Sequence, residues 1–383
     1  MNKNMMLGAG IVVSILLLTS CDRSEQVARP VQPDDKPNVS APLFPEETYG
    51  NEPHVQANEQ QLYQFINEQM NGEYGIFTNF SNTDQNADVA TGHEVLSESA
   101  GLLMRYYTRT GQQQAFDNEW NRAKQTFDLS SGFSYRYSPQ QNKRHTLNAA
   151  VDDLRLIRAL HEAGNVFNDE RYRQEADQYG KRFYEHNIRD GRLYDFYDET
   201  YKITNDFITL CYIDLTSLGL LPISSEESKT LQQNMLDILH QGFLSDEFPF
   251  YETRYSYKTE SYQSERINMV ESLLTILSLV EVNQHHPSSI KYIKEHVQAG
   301  TMFGQYTKVG KATTDIQSTA IYAITAMIGT ELRDKELYEA SIRRMEQYQV
   351  QNSGTKLDGG YGDAASQQAY SFDNLMALLA YAH

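Results

Sequence analysis

Apolar residues recur every three or four positions through most of this chain, which is the spacing of one face of an α-helix. Clusters of Gly, Pro and Asn interrupt that spacing and divide it into twelve segments. No long alternating run of strand character competes with them. We therefore predict twelve helices, at residues 57–70, 95–110, 114–127, 146–164, 169–188, 205–220, 225–241, 264–283, 287–299, 314–330, 334–350 and 370–382.

The connections between these segments alternate in length, from the short link at 110–111 to long ones such as 128–144 and 244–263. The alternation indicates six helical hairpins, and the even-numbered helices are the more apolar. Hairpins of this kind cannot bury their apolar faces alone. We therefore predict an all-α (α/α)6 barrel with the even helices inside and helix content well above half of residues 55–383. An open α-solenoid is the alternative.

The first residues have the pattern of an export signal. Lys3 precedes an apolar run at 5–18 that is too short to span a bilayer comfortably, and the run ends in Leu18-Thr19-Ser20-Cys21. This motif resembles the lipobox of bacterial lipoproteins. The resemblance implies a signal peptide at 1–20 and a lipid on Cys21 that anchors the chain to the extracytoplasmic face of the cell membrane. The alternative is an ordinary secretion signal followed by a lone cysteine.

A proline-rich stretch follows the cysteine. Six of the ten prolines fall between residues 30 and 53, in a polar segment without helical or strand periodicity. Such a segment cannot bury enough apolar surface to fold. We predict a flexible tether at 21–54 and one folded domain at 55–383.

The composition narrows the possible partners. A net charge of −18 argues against nucleic acid, which requires a basic surface, and against a polyanionic sugar. The ten histidines show no metal-ligand spacing, and Cys211 has no partner if Cys21 is lipidated, so we expect no metal and no cofactor. The 26 tyrosines offer apolar faces with polar tips that suit sugar rings. We expect a monomer.

Carboxylates fall near the predicted starts of the inner helices, where the long connections would place them around one end of the barrel. Acidic residues are common in first helical turns because they offset the helix dipole, so several have only that role. A ring of them also forms an acidic cleft suited to acid and base chemistry. The residues are Glu94, Glu98, Asp152, Asp153, Asp206, Glu265, Asp315 and Asp373.

Three segments resemble glycoside hydrolase family 8. They are residues 96–104 with the following Phe116-Asp117 and Trp120, residues 148–154, and residues 370–374. The resemblance implies the (α/α)6 fold and inverting hydrolysis of a β-linked polysaccharide of glucan or chitosan type. It makes Glu98 the general acid, although a capping-box role for Glu98 is the alternative. Burial would raise the pKa of Glu98, and the helix terminus would lower it.

The catalytic base is where the sequence departs from the family. The family places an aspartate after an aromatic residue and three positions before an arginine, and here Tyr262 and Arg266 flank Gln263 at that place. Glutamine cannot accept a proton from water at neutral pH. Glu265, Glu260 and Asp153 are the alternative candidates. The residues expected to bind substrate are Asp152, Asp206, Tyr262, Arg266 and Asp373.

Two functions follow from this pattern. The first is a surface-tethered glycosidase that acts on an exopolysaccharide or related glycan, with Glu98 as the acid. The second is a non-catalytic glycan-binding or scaffold lipoprotein that kept the barrel and lost its base. Gln263 favours the second, and a converging Glu265 favours the first.

Overall fold

The computed structural model describes residues 48–83 and 89–383. The predicted signal peptide, Cys21 and nearly all of the predicted tether lie outside these residues. Among the helices described, none combines the length and apolar character that crossing a membrane requires. The α-helices are α1 Pro53–Phe65, α2 Ser97–Arg109, α3 Gln113–Phe127, α4 Ala150–Val166, α5 Glu170–Asn187, α6 Leu215–Gly219, α7 Ser225–Gln241, α8 Met269–Glu281, α9 Pro287–Ala299, α10 Thr319–Glu331, α11 Lys335–Met345 and α12 Ser371–Tyr381.

The long connections carry strands of two or three residues, all in antiparallel pairs. β1, β2 and β3 form one sheet, β8, β9 and β10 a second, and the other strands form the pairs β4–β5, β6–β7 and β11–β12. The strands are β1 Val95–Leu96, β2 Arg136–Ser138, β3 Lys143–Arg144, β4 Ile188–Arg189, β5 Arg192–Leu193, β6 Tyr197–Asp198, β7 Ile203–Thr204, β8 Phe207–Thr209, β9 Arg254–Ser256, β10 Ser261–Gln263, β11 Ile267–Asn268 and β12 Gln305–Tyr306.

The even-numbered helices form the core, and each contacts the next. α2 contacts α4, α4 contacts α6, and the series continues through α8 and α10 to α12, which contacts α2 again. All but one residue of α10 are buried, as expected for a helix that is apolar on every side. The odd-numbered helices pack outside on one apolar stripe each. In α5, for example, Tyr172, Ala176, Tyr179 and Phe183 are buried at helical spacing.

The prediction of a helical fold with twelve helical segments is therefore confirmed, but the prediction of well above half helix is wrong. About half of the predicted domain is helical, because inner helices begin later than the apolar pattern indicated. The largest difference is at 205–220. There β8 pairs with β9, and the helix starts only after Asp214, whose carboxylate accepts the Ser217 N–H over 2.9 Å. Pro222 follows, so α6 has five residues.

A buried polar network ties the inner helices together below their first turns. Arg158 of α4 donates two hydrogen bonds to Glu281 of α8, over 2.8 and 2.9 Å, and one to Glu162 over 3.0 Å. Arg105 of α2 donates to the same Glu162 over 3.0 Å. Asp214 lies 3.5 Å from Arg158. A cavity of about 70 Å³ adjoins this network, and Arg105 and Arg158 line it.

Candidate active site

The first turns of the inner helices bring carboxylates to one end of the helix ring. Inner helices alternate along the chain with outer helices that run back, so their N-termini lie at the same end, which we call the mouth. Helix α6 is the exception, because its start bonds to Ser278 near the C-terminal end of α8. The connections reach the mouth as short strands: β1 leads directly into α2, and β11 leads directly into α8. Four of the first-turn carboxylates are those of Glu98, Asp152, Glu271 and Asp373.

Glu98 is partly exposed at the mouth. Burial of its carboxyl is the largest cause that raises the pKa of Glu98 to about 7. The carboxylates of Asp152 and Asp373 add to the rise, and Arg155 opposes it. Among the described residues, no side chain caps α2, so the capping-box alternative for Glu98 finds no supporting hydrogen bond. A carboxyl group with this pKa is protonated in a substantial fraction of molecules at neutral pH, as a general acid must be.

Arg155 holds Asp152 beside Glu98. Its Nη1 donates to Oδ1 of Asp152 over 2.7 Å, and both side chains are largely buried. The aliphatic part of the Arg155 side chain packs against α2 at Gly101. A β-carbon on residue 101 would lie only 3.1 Å from Cγ of Arg155. Gly101 is one turn beyond Glu98 on the same helix face, so Arg155 lies beside both carboxylates. Burial raises the pKa of Asp152, and the ion pair with Arg155 limits the rise.

Helix α12 supplies a further carboxylate next to α2. The hydroxyl of Ser99 donates to that of Ser371 over 3.2 Å, which joins the first turns of the two helices. Asp373 accepts a hydrogen bond from the backbone N–H of Ala320 over 2.9 Å. Burial raises the pKa of Asp373, and this hydrogen bond opposes the rise. A sugar bound among these helices would therefore meet one proton donor, Glu98, and carboxylate acceptors on both sides of it.

Asp153 points to a different environment from Asp152, because neighbouring residues of a helix are separated by about 100°. Its Oδ2 accepts hydrogen bonds from Nδ2 of Asn148 over 2.9 Å and from the backbone N–H of Phe133 over 3.4 Å. A β-carbon on Gly132 would lie 2.3 Å from the same oxygen, so the space is closed. Burial raises the pKa of Asp153 well above its usual value. These contacts fix the connection that precedes α4.

The hairpin of β9 and β10 contains the residue at the family's base position. Gln263 is exposed and pairs with Arg254 of β9. The hydroxyl of Tyr262 donates to the backbone carbonyl of Ile238 in the outer helix α7 over 2.6 Å. This hydrogen bond holds the hairpin against α7.

Three more of the predicted site residues are exposed. Glu265 lies in the bend between β10 and β11, and its carboxylate has no hydrogen bond or ion pair within the described residues. Arg266 contacts Oε1 of Gln305 at 3.4 Å, a long hydrogen bond. Asp206 immediately precedes β8 rather than starting an inner helix. Within the described part of the chain, no hydrogen bond or ion pair joins any of these three side chains to Glu98.

Sequence reasoning missed two acidic residues at the mouth, Glu271 and Asp195. Glu271 lies in the first turn of α8, three positions after Asn268, whose side chain accepts the Glu271 N–H over 3.3 Å. That spacing is typical of a helix start and would have moved the predicted start from 264 to 269.

Asp195 is buried and accepts two hydrogen bonds from Thr209, both over 2.6 Å. Burial raises its pKa to about 6, although those hydrogen bonds oppose the rise. No pattern in the sequence distinguishes Asp195.

Comparison with known proteins agrees with this geometry. The profile of the family described as glycosyl hydrolases family 8 matches residues 62–192, which contain Glu98 and Asp152. A Bacillus subtilis (strain 168) protein named "Putative lipoprotein YdaJ" is 26% identical over 318 residues, which span 80% of this chain and 85% of that protein.

Solved structures share the fold over most of their length. The structure of a protein described as a novel alpha-amylase from Clostridium perfringens is 31% identical, with a TM-score of 0.79 over 85% of this chain and 97% of that one. The endoglucanase Cel10 from Klebsiella pneumoniae, described as a family 8 glycosyl hydrolase, is 15% identical, with a TM-score of 0.58 over 84% of this chain and 98% of that one. The second likeness concerns the fold alone.

The protein with this helix ring and acidic mouth is thus a glycoside hydrolase. More particularly, the chain belongs to the same family as the Clostridium perfringens protein, and it is a family 8-like glycoside hydrolase.

Proposed function

We propose that this hydrolase cleaves a β-linked polysaccharide, of glucan or chitosan type or an exopolysaccharide, by an inverting displacement with Glu98 as the general acid. The observation that carries the proposal is the position of Glu98 in the first turn of α2, whose neighbours α4 and α12 carry Asp152 and Asp373 in their first turns. Burial first, and then these acidic neighbours, raise the pKa of Glu98 to about 7. The proposal includes a closed (α/α)6 barrel, which the cycle of contacts from α2 to α12 and back supports.

Asp152 and Asp373 would bind hydroxyl groups of the sugar whose bond is cleaved. Both flank Glu98 on neighbouring inner helices. Carboxylates accept hydrogen bonds from sugar hydroxyls, and they repel a polyanionic chain. A neutral or cationic polysaccharide is therefore the proposed substrate class.

An α-linked glucan is the second candidate substrate. The observation that favours it is the 31% identity to the Clostridium perfringens protein, which is described as an alpha-amylase. The observation that favours β-linked chains is the family 8 profile match together with the fold of endoglucanases such as Cel10. Glu98 would serve as the proton donor for either linkage.

A panel of polysaccharides separates these candidates. We expect wild-type protein to release reducing ends from at least one β-linked glucan, chitosan or exopolysaccharide, and none from amylose. Proton NMR should show the α-anomer as the first product of a β-linked chain, since one displacement inverts the anomeric carbon. Glu98→Gln protein is the blank. Cleavage of amylose alone would favour the second candidate, and binding without any hydrolysis would contradict the proposal in favour of a glycan-binding scaffold.

The proposal also places the enzyme on the membrane through a lipid on Cys21, in line with the name of its Bacillus subtilis relative. We expect Cys21→Ser to move the protein out of the detergent-soluble membrane fraction or to leave its signal uncleaved, because the acyl chains are the anchor. Cys211→Ser is the matched control and should fractionate like wild type. If the signal of Cys21→Ser is cleaved and the protein still fractionates like wild type, lipidation is not the anchor.

A further inference from the structure

An inverting hydrolase needs an ionised carboxylate that takes a proton from the attacking water, on the side of the sugar opposite the general acid. Gln263 occupies the place where family 8 carries that base, and an amide cannot perform the step. If the proposed function holds, on which this inference rests, the base must be another carboxylate at the mouth.

Three carboxylates near the mouth are already held by neighbours. Asp195 uses one oxygen for the N–H and the other for the hydroxyl of Thr209, both over 2.6 Å. Asp152 forms its ion pair with Arg155 over 2.7 Å. Asp373 accepts a backbone N–H from the start of α10 over 2.9 Å. These hydrogen bonds engage both oxygens of Asp195 and one oxygen each of Asp152 and Asp373, whose carboxylates are already proposed to accept sugar hydroxyls.

Glu271 is different, because within the described residues its carboxylate has no hydrogen bond or ion pair, and it is only half-buried. The usual reason for a glutamate at this helical position is capping. Glu227 of α7 illustrates it: its Oε2 accepts the Ser224 N–H over 3.0 Å and closes a capping box. In α8, Asn268 caps the helix, but Glu271 does not bond back to Asn268. Capping therefore does not explain this carboxylate.

Glu271 and Glu98 lie on helices at opposite sides of the ring. The inner helices follow one another in the order α2, α4, α6, α8, α10 and α12, so the first and the fourth lie on opposite sides. A single 3₁₀ turn at Leu210–Tyr212 lies between α4 and α8 and contacts both. An acid and a base on opposite walls leave room between them for a sugar and the attacking water, as inversion requires.

The surroundings of Glu271 also suit a base. Burial raises its pKa, and Arg254 opposes the rise. Arg254 pairs with Thr209 in the β8–β9 ladder, and its guanidinium lies over the ring of Phe207 at 4.8 Å from the centroid, so the cation is held near α8. A carboxylate with a raised pKa is a stronger proton acceptor, provided that it stays ionised at the working pH.

We propose that Glu271 is the catalytic base. Its carboxylate takes one proton from a water molecule whose oxygen bonds to the anomeric carbon. The bond from that carbon to the leaving oxygen breaks with its electron pair, and the leaving oxygen takes the proton of Glu98. The products are two shorter chains, with Glu98 ionised and Glu271 protonated.

Replacement of Glu271 in the full chain tests this role. We expect Glu271→Ala and the isosteric Glu271→Gln to lower turnover on the polysaccharide by a factor of about 10²–10⁴. The loss should persist on substrates with activated leaving groups, because they still need an activated water. Azide should restore turnover of activated substrates by Glu271→Ala and yield a glycosyl azide of inverted configuration. Glu227→Ala, at the same helical position in α7, is the matched control and should keep wild-type turnover.

The outcomes distinguish this inference from the proposed function. If folded Glu271→Gln keeps near-normal turnover while Glu98→Gln is inactive, Glu271 is not the base. The proposal of a glycosidase with Glu98 as the acid is then unaffected. An azide-rescued loss in Glu265→Ala instead would place the base in the bend between β10 and β11 and overturn the inference. If the wild-type protein hydrolyses no polysaccharide, both the proposed function and the role of Glu271 as the base are contradicted. Circular dichroism confirms that each variant is folded.

Discussion

Glu98→Gln should lower turnover on the polysaccharide by a factor of about 10²–10⁴, while the affinity for the glycan stays close to that of wild type. The change keeps the size and hydrogen bonding of the side chain and removes only its transferable proton. Substrates with activated leaving groups need no such proton, so their hydrolysis should fall much less. Initial rates on both substrate types, together with calorimetric binding of the glycan, measure the separation.

Glu170→Gln is the matched control for Glu98→Gln. Glu170 also lies in a first helical turn, but on the outer helix α5, where it is exposed and pairs with Arg173 over 2.9 Å. It should keep wild-type turnover. A Glu98→Gln enzyme with normal turnover on the polysaccharide would exclude Glu98 from the mechanism.

The pH dependence of turnover tests the same assignment independently. As the proposed general acid, Glu98 must be protonated to act, and its pKa is raised to about 7 by burial and by neighbouring carboxylates. Turnover on the polysaccharide should therefore be highest below this value and fall as the pH rises through about 7. In Glu98→Gln, the residual hydrolysis of activated substrates should lose this alkaline limb.

The sequence predicted the helices better than the connections. Helix α7 begins and ends where its apolar pattern places it, at 225–241, and the structure adds a cap at Ser224. The error at 205–220 has a tertiary cause. The β-branched residues before Leu210 pair with a strand more than forty positions later, and periodicity within the segment carries no information about that partner.

The sequence predicted those residues of the candidate site that lie in the first turn of an inner helix whose start was placed correctly to within a few residues. Glu98, Asp152 and Asp373 lie at the mouth, because the starts of α2, α4 and α12 were placed within a few residues. Asp152 and Asp153 are adjacent in sequence, and only the three-dimensional structure distinguishes the one beside Arg155 from the one enclosed by Asn148. Glu271 was missed because the start of α8 was placed five residues too early.

Arg158→Met should be the most destabilising of the substitutions considered, because Arg158 is the centre of the network below the mouth. Its side chain is 3% exposed and bonds to Glu162 and Glu281, and Asp214 lies at 3.5 Å. Methionine fills similar space but leaves these buried carboxylates without their shared cation. Removal of one partner from a buried ion pair costs about 3–5 kcal/mol of the free energy of unfolding.

Urea denaturation followed by circular dichroism measures this cost, and Arg343→Met is the matched control. Arg343 is 62% exposed and lies 3.6 Å from Glu339 on the outer helix α11, a geometry that contributes at most about 1 kcal/mol. The same substitution should therefore shift the urea midpoint clearly at Arg158 and barely at Arg343. Equal small shifts would mean that the carboxylates around Arg158 take up protons or water when the cation is lost. The network would then not be what holds α4 and α8 together beneath the mouth.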